Sequence, residues 1–451
     1  MTPVSQGQMA EWCGGALIQG VPSEPLGQVC TDTRKIGQGD VFLALKGDNF
    51  DGHDFVKEVT ERNLSGLILS SLVLASESFE GAVIHVRDTL QALQSLAKNY
   101  RRSLDDLFVV GVTGSNGKTS TKDFLKAVLS AAGPVNATKG NLNNHIGLPL
   151  TVLESEATDR FGVWEMGMNH PGEIEPLADI AAPNAAVITN IGTAHIEHMK
   201  TREAIAEEKG MLAEFTDADG FIVMPAADEY TESISGRSRA RMISVGIGEG
   251  DVRAEKLEST GEGTRFEIAA GGECISAEIG VPGGHMVTNA LLAVAVGLEN
   301  GIGLDAIADR LANAELTGGR LQRRQVSGVD FLDDSYNANP DSMRAALKTL
   351  ADSETSGRRV AVLGFMGELG EHEESEHRSL GQTVAALDVD LLVTVTERAR
   401  LIHEGADSGE HFDDHEAAAV FLQSELKPGD LVLVKGSRAA TMETVLEKFA
   451  T

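Results

Sequence analysis

At 451 residues, with 42% hydrophobic and 24% charged side chains, the chain is long enough for two or three domains and has the make-up of an ordinary folded protein. Its 38 lysines and arginines against 68 aspartates and glutamates leave a formal net charge of −30, which repels phosphodiester backbones and anionic lipid, so no nucleic acid and no stable membrane association are expected. Three cysteines in no metal-ligand spacing, Cys13, Cys30 and Cys274, and an amino terminus without a basic segment leading into an apolar run point to a soluble protein of the reducing cytoplasm.

The first hundred residues set short apolar runs, Val41 to Leu45 and Leu67 to Leu69, between Gly and Asp turns, and close on a helical pattern around Leu90 to Leu93. This reads as a small mixed α/β domain over 1–102, and the polar, basic stretch Lys98 to Asp106 reads as a linker. Leu107 to Val112 is a buried-strand run that enters a Gly-rich turn, and Phe124, Leu125, Val128 and Leu129 then recur at helical spacing. Further runs at Phe161 to Trp164, Ala185 to Ile191 and Phe221 to Met224 alternate with helical segments, which predicts a mostly parallel sheet faced by helices over 103–315. The alternation resumes at Arg359 to Phe365, a helix from about Glu373, Asp390 to Val395 and Asp430 to Val434, giving a smaller α/β domain over 316–451. The acidic cluster Glu371 to Glu376 reads as a solvated turn or helix start.

The sharpest chemical signal is Gly111-Val112-Thr113-Gly114-Ser115-Asn116-Gly117-Lys118-Thr119. A Gly-rich turn between strand and helix lets backbone amides curl around phosphate oxygens. The helix adds its positive end, Lys118 a point charge and Thr119 a hydroxyl for magnesium. Val112 stands where the standard spacing has glycine, but the strand-before, helix-after context fits a site for ATP. Glu165 closes one strand run and His195 follows another, where ligands of open α/β sheets gather. Each alone reads as a loop acid or a satisfied histidine, and beside a phosphate loop as a metal ligand. Lys209 lies four after Ile205 and three before Leu212 on an apolar stripe. It either snorkels at the edge of the stripe or is buried, able to lose its proton and take up carbon dioxide as an anionic carbamate.

Together these residues resemble the Mur ligases, ATP-dependent amide-forming enzymes that build the peptide of peptidoglycan precursors. The resemblance runs through Asp32-Thr33-Arg34, Ala44-Leu45-Lys46-Gly47, Asp51-Gly52-His53, Thr138 to Pro149, Glu165 to Asn169, Thr189 to Glu197, Gly319 to Gln322 and Asp333 to Met343. It implies three domains: a mixed α/β domain binding a UDP-sugar, a central P-loop ATPase with a mostly parallel sheet, and a carboxy-terminal Rossmann-like domain. Within the family the middle domain is most like the branch that joins D-alanyl-D-alanine to UDP-N-acetylmuramoyl-tripeptide. By that resemblance Gly114, Ser115, Asn116, Gly117, Lys118, Thr119 and Ser120 hold the nucleotide phosphates, Asn289 meets adenine, Asp334 and Asn337 the ribose side, and Arg320 crosses from the third domain to the phosphates. Thr119 and Glu165 would hold one Mg2+, and His195 with a carbamylated Lys209 a second. Lys118, Lys209, His195 and Arg320 form the catalytic set. Thr33, Arg34, Lys46, Gly47, Asn141, Asn143, Asn144, Tyr336, Asn337, Lys435, Ser437 and Arg438 are assigned to the substrates, and the enzyme is expected to be a monomer.

One departure concerns a turn: Met199-Lys200 stands where the family usually has an aromatic residue and a glycine. The segment Gly364 to Gly370 follows a strand but lacks the spacing of a dinucleotide fingerprint. The third domain also lacks the Asp-Asn-Pro-Arg run of the diaminopimelate-adding branch, and the nucleotide-sugar-like first domain argues against a folylpolyglutamate-type synthetase. A reading of another class, an ATP-driven switch without amide synthesis, fits less well, because a switch needs no site for an acyl phosphate.

Overall fold

The computed structural model describes residues 1–47, 50–71, 79–260 and 262–450. A five-stranded sheet near the amino terminus runs in the order Ala16–Gln19, Ala82–His85, Gly66–Leu69, Val41–Leu43, Val29–Cys30, parallel except for its first pair. Alternation along its strands sends Phe42, Leu67 and Val83 to one face, packed with Val56 and Val59, and Leu43, Ile68 and Ile84 to the other. That second face belongs to the same apolar mass as Leu148, Trp164, Ile174 and Leu212 of the central domain.

The basic stretch expected as a linker is instead helix as far as Arg102, within Thr89–Arg102, which Asp88 caps at its start. Leu93, Leu96, Ala97 and Tyr100 recur at helical spacing and are buried. The charges that suggest a linker have partners: Lys98 pairs with Asp179, and Arg101 donates to the carbonyls of Ala181, Leu104 and Ala182 at 2.9, 3.1 and 3.2 Å. Tyr100 donates its hydroxyl to Ser155 O at 2.6 Å, a second tie between the first and central domains.

The central sheet has nine strands, in the order Val135–Ala137, Phe161–Glu165, Phe108–Thr113, Ala185–Ile188, Phe221–Pro225, Arg241–Ile247, Val252–Ser259, Thr264–Ala270, Glu273–Ile279. All pairs are parallel except the last two, an antiparallel extension that the chain-order pattern of apolar runs does not reveal. Both faces of the parallel part are buried: Val110 and Val112 pack toward the helices Lys118–Leu129 and Gly284–Glu299, Val109 toward Ile174–Ala181 and Arg202–Glu214. The strand expected to reach Ile191 stops at Ile188. Its continuation leaves the ladder to bond the glycine-rich turn, with Thr189 Oγ1 and Asn190 Nδ2 both donating to Asn116 O, at 2.5 and 3.0 Å.

The carboxy-terminal sheet has six strands, Gln322–Val326, Val329–Asp334, Leu431–Lys435, Arg359–Leu363, Leu391–Val395 and Glu410–Phe412, parallel apart from the first hairpin. Register places Asp334 and Leu363 on either side of Lys435, so the ends of three adjacent strands face the central domain together. No helix among the described residues is long and apolar enough to cross a membrane.

Candidate active site

Parallel register sets the site. Val112 lies opposite Glu165 and Thr113 opposite Ile188, so the loops after three neighbouring strands emerge side by side. The turn Gly114 to Gly117 needs its glycines: Gly114 has φ +148, and a methyl there would overlap Thr189 Oγ1, while Gly117 has φ +80 and a methyl would lie 2.5 Å from Asn289 Oδ1. The helix Lys118–Leu129 starts at once after this turn.

Lys118 donates to Gly114 O at 2.7 Å, and burial lowers its pKa, a shift that Glu165 opposes and Arg320 reinforces. Thr119 donates to Glu165 Oε2 at 2.9 Å and accepts from Arg320 Nη2 at 2.9 Å. Glu165 is buried, and its other oxygen accepts from Asn143 Nδ2 at 2.8 Å. A loop of the central domain, the phosphate turn and the third domain thus meet in one hydrogen-bonded chain. Arg320 also stacks over the Tyr336 ring, 4.4 Å from its centroid.

Lys209 does not snorkel. It is 1% exposed on Arg202–Glu214, a helix capped by Thr201, and burial followed by the charge of Lys118 lowers its pKa well below the usual lysine value, with Glu208 opposing. Glu208 itself is spent on Gly172 N and Ile174 N, at 2.7 Å each. His195 takes a left-handed conformation, φ +63, and its Nδ1 lies 2.5 Å from Glu368 Oε2 of the third domain, a contact that holds Glu368 below the usual carboxylate range.

A cleft of about 980 Å3 between the central and third domains is lined by Ser115 to Ser120, Asn143, Glu165, His195, Asn289, Arg320, Asp334, Tyr336, Asn337, Lys435, Ser437 and Arg438. Gly114 lies at the root of its phosphate turn, and Lys209 is packed away from the cleft surface. Lys435 is committed internally, donating to Asp334 Oδ2 at 2.6 Å and Asn337 O at 2.9 Å. Asn141 and Asn144 do not line the cleft, and Asn144 Oδ1 accepts from Ile146 N and Gly147 N at the start of the helix Gly147–Leu153. Thr33, Arg34, Lys46 and Gly47 lie on the first domain, outside the cleft: Arg34 pairs with Asp32 at 2.8 Å, and Lys46 lies 3.7 Å from Asp51.

Sequence reasoning missed three residues that cross the cleft: Glu368, Asn339, whose Nδ2 donates to Asn116 Oδ1 at 2.7 Å, and Asp341. Asn339-Pro340-Asp341-Ser342 is a helix-start signal, and Asn339 does cap Pro340–Asp352. Nothing local shows that this helix end docks on the phosphate turn.

This arrangement defines the class: a P-loop enzyme of three α/β domains whose third domain reaches back to the nucleotide loop. Family models match nearly the whole chain, as Mur ligase family, catalytic domain (26–101), Mur ligase middle domain (112–297) and Mur ligase, glutamate ligase domain (319–438). The chain belongs to the Mur ligase family, whose members are ATP-dependent, ADP-forming ligases. It is 38% identical to the UDP-N-acetylmuramoyl-tripeptide–D-alanyl-D-alanine ligase of Bacillus subtilis over 93% of this chain and 92% of that protein. Among solved structures it is similar to MurF from Acinetobacter baumannii, with TM-score 0.92, 34% identity and 100% and 99% of the two chains covered. The MurF ligase of Thermotoga maritima in complex with ADP gives TM-score 0.84 and 30% identity, with 94% and 97% covered.

Proposed function

We propose that the chain joins D-alanyl-D-alanine to UDP-N-acetylmuramoyl-tripeptide, with ATP converted to ADP and phosphate, in the cytoplasmic assembly of peptidoglycan precursors, and that it works as a monomer. End-to-end likeness to ligases of that name supports the substrate pair. The observation that carries the chemistry is the chain Arg320, Thr119, Glu165, Asn143, which joins the third domain to the phosphate turn.

A carboxylate is a poor electrophile and oxide a poor leaving group, so ATP has to supply one. The terminal carboxylate oxygen of the tripeptide attacks the γ-phosphorus, the bond to the β-bridging oxygen breaks, and ADP leaves. The free amine of D-alanyl-D-alanine then attacks the acyl carbon, phosphate departs, and the amine gives up a proton. Two anions meet in the first step, and Lys118 and Arg320 lower that repulsion and stabilise the charge spread over the transferring group. Closure of the third domain keeps water from the acyl phosphate. Asn289 would face adenine, Asp334 and Asn337 the ribose, and Tyr336, Ser437 and Arg438 the amine and peptide. Thr33, Arg34, Lys46 and Gly47 would hold the uridine nucleotide, with Asn141 and Asn144 beside Asn143 at the peptide.

Thr119 and Glu165 fit Mg2+, since a hydroxyl and a buried carboxylate 2.9 Å apart form a hard-oxygen pair. Among the described residues no three His, Cys, Asp or Glu side chains converge as a metal site, so the remaining ligands would be nucleotide oxygens and water. When bound, Mg2+ would neutralise charge on the β- and γ-phosphate oxygens. As an ammonium, Lys209 fits no cation. Its lowered pKa favours the neutral amine, which can add carbon dioxide and lose a proton, giving an anionic oxygen ligand that would pair with His195 at a second Mg2+.

The test is phosphate release from ATP with UDP-N-acetylmuramoyl-tripeptide, comparing D-alanyl-D-alanine, D-glutamate and diaminopimelate as amine, with mass spectrometry of the product. Release that depends on D-alanyl-D-alanine and yields the pentapeptide is expected. Release with another amine moves the specificity, and none with any amine removes the ligase reading.

A further inference from the structure

The helix Lys118–Leu129 presents two side chains one turn apart to the segment that enters the third domain. Asp123 Oδ2 accepts from Thr317 N at 2.8 Å, and three residues further along that segment Arg320 Nη2 donates to Thr119 Oγ1 at 2.9 Å. Four helical residues rise about 6 Å, a distance that three linker residues cover without being fully extended. The linker is therefore zipped onto one face of the phosphate-loop helix, antiparallel to it.

Between the two contacts stand Gly318 and Gly319, the second at φ +73. A guanidinium carried on two glycines has wide freedom, and ordering it at the phosphates costs entropy that an anchor three residues away removes in advance. Asp123 suits that task. Its carboxylate is buried beside Lys122, 2.7 Å away, with the two side chains 7% and 6% exposed, so the acid is paired in a place where a lone charge would be costly. Lys122 also donates to Thr138 O at 3.2 Å, at the start of the loop that brings Asn143 to Glu165. Asp123 does not line the cleft.

We propose that Asp123 is a positioning residue: by holding Thr317 it sets the register of the interdomain linker and so delivers Arg320 to the transferring phosphate. This rests on the reading of Arg320 as a phosphate-binding group, and the test separates the two. Steady-state kcat and KM are measured for Asp123→Ala, Asp123→Asn, Arg320→Ala and the double variant Asp123→Ala with Arg320→Ala. Asp123→Ala is expected to lower kcat about tenfold with the KM for the amine within about twofold, and to change kcat by less than about twofold once Arg320 is gone. Asp123→Asn keeps an acceptor for Thr317 N and should recover most of kcat. An equal loss in both backgrounds, or an Asn variant as impaired as the Ala variant, overturns the proposal. Full activity in Arg320→Ala overturns the underlying reading of Arg320, a result visible from that variant alone. If Asp123→Ala does not fold, Thr317→Pro removes the donor while leaving the Lys122–Asp123 pair in place, and the same cycle with Arg320→Ala decides.

Discussion

Asp341 grips Thr193 twice: its Oδ2 accepts from the backbone N–H at 2.7 Å and from the hydroxyl at 2.9 Å, across the cleft from the third domain to the loop that carries His195. With Asn339 on Asn116, one helix end thereby touches two of the three loops that form the site.

Asp341→Ala should therefore loosen closure without touching either domain's core. Charge-assisted hydrogen bonds contribute about 1.5–3 kcal/mol, so kcat is expected to fall about tenfold or more while the melting temperature moves little. Steady-state kinetics beside a calorimetric scan check this, and an unchanged kcat would show that the grip is incidental.

Lys209 makes two separable predictions. In Lys209→Ala, activity should be lost and partly restored by short carboxylates such as formate; unaltered activity without them would end the carbamate reading. The second concerns stability. The folded pKa is depressed below the ordinary 10.5, so the unfolded chain binds more protons between those two values. In carbon dioxide-free buffer, wild-type stability should then rise with pH across that window relative to Lys209→Met, by up to about 1.4 kcal/mol per pH unit, and level off above 10.5. Urea titrations at several alkaline pH values read the difference directly.

Lys200 is strained. It has φ +70 and ψ −42, and Met199 O accepts from Thr201 N at 2.9 Å across it, the geometry of a γ-turn that L side chains adopt at a cost. Lys200→Gly should relieve this and raise stability by about 1 kcal/mol, seen as a higher melting temperature. A lower one would mean that the Lys200 bond to Glu197 O outweighs the strain.

Arg101 is buried with its guanidinium against the carbonyls of Ala181, Leu104 and Ala182. Arg101→Met removes these three bonds at the seam between the first and central domains, leaving Leu104 O with only Leu107 N, and a loss of about 2–4 kcal/mol in urea denaturation is expected, with kcat unchanged when assayed below the transition.

The phosphate turn was legible because its chemistry is local: glycines with positive φ, a lysine and a hydroxyl follow one another in nine residues. Lys209 was legible as an inward lysine because Ile205 and Leu212 fix the stripe on which it lies, although spacing alone left its burial open. The parallel core was readable from its apolar runs. What escaped depends on distant partners. Lys98 and Arg101 look like linker residues until Asp179, Ala181 and Ala182, some 80 positions away, supply what they bind. Asn339 and Asp341 read locally as a helix start, while their contacts with Asn116 and Thr193 span 223 and 148 positions.

Lys118 on Gly114 O and Arg320 on Thr119 Oγ1 carry a consequence for turnover. Each cation gives one of its donors to the protein, so a nucleotide held by them as proposed would displace that bond while adding others, and the displaced bond returns only a small net gain. The same internal bonds would re-form as ADP departs, easing its release. With Lys118 and Arg320 in the proposed roles, a loop built this way would favour rapid recycling over tight retention of the spent nucleotide.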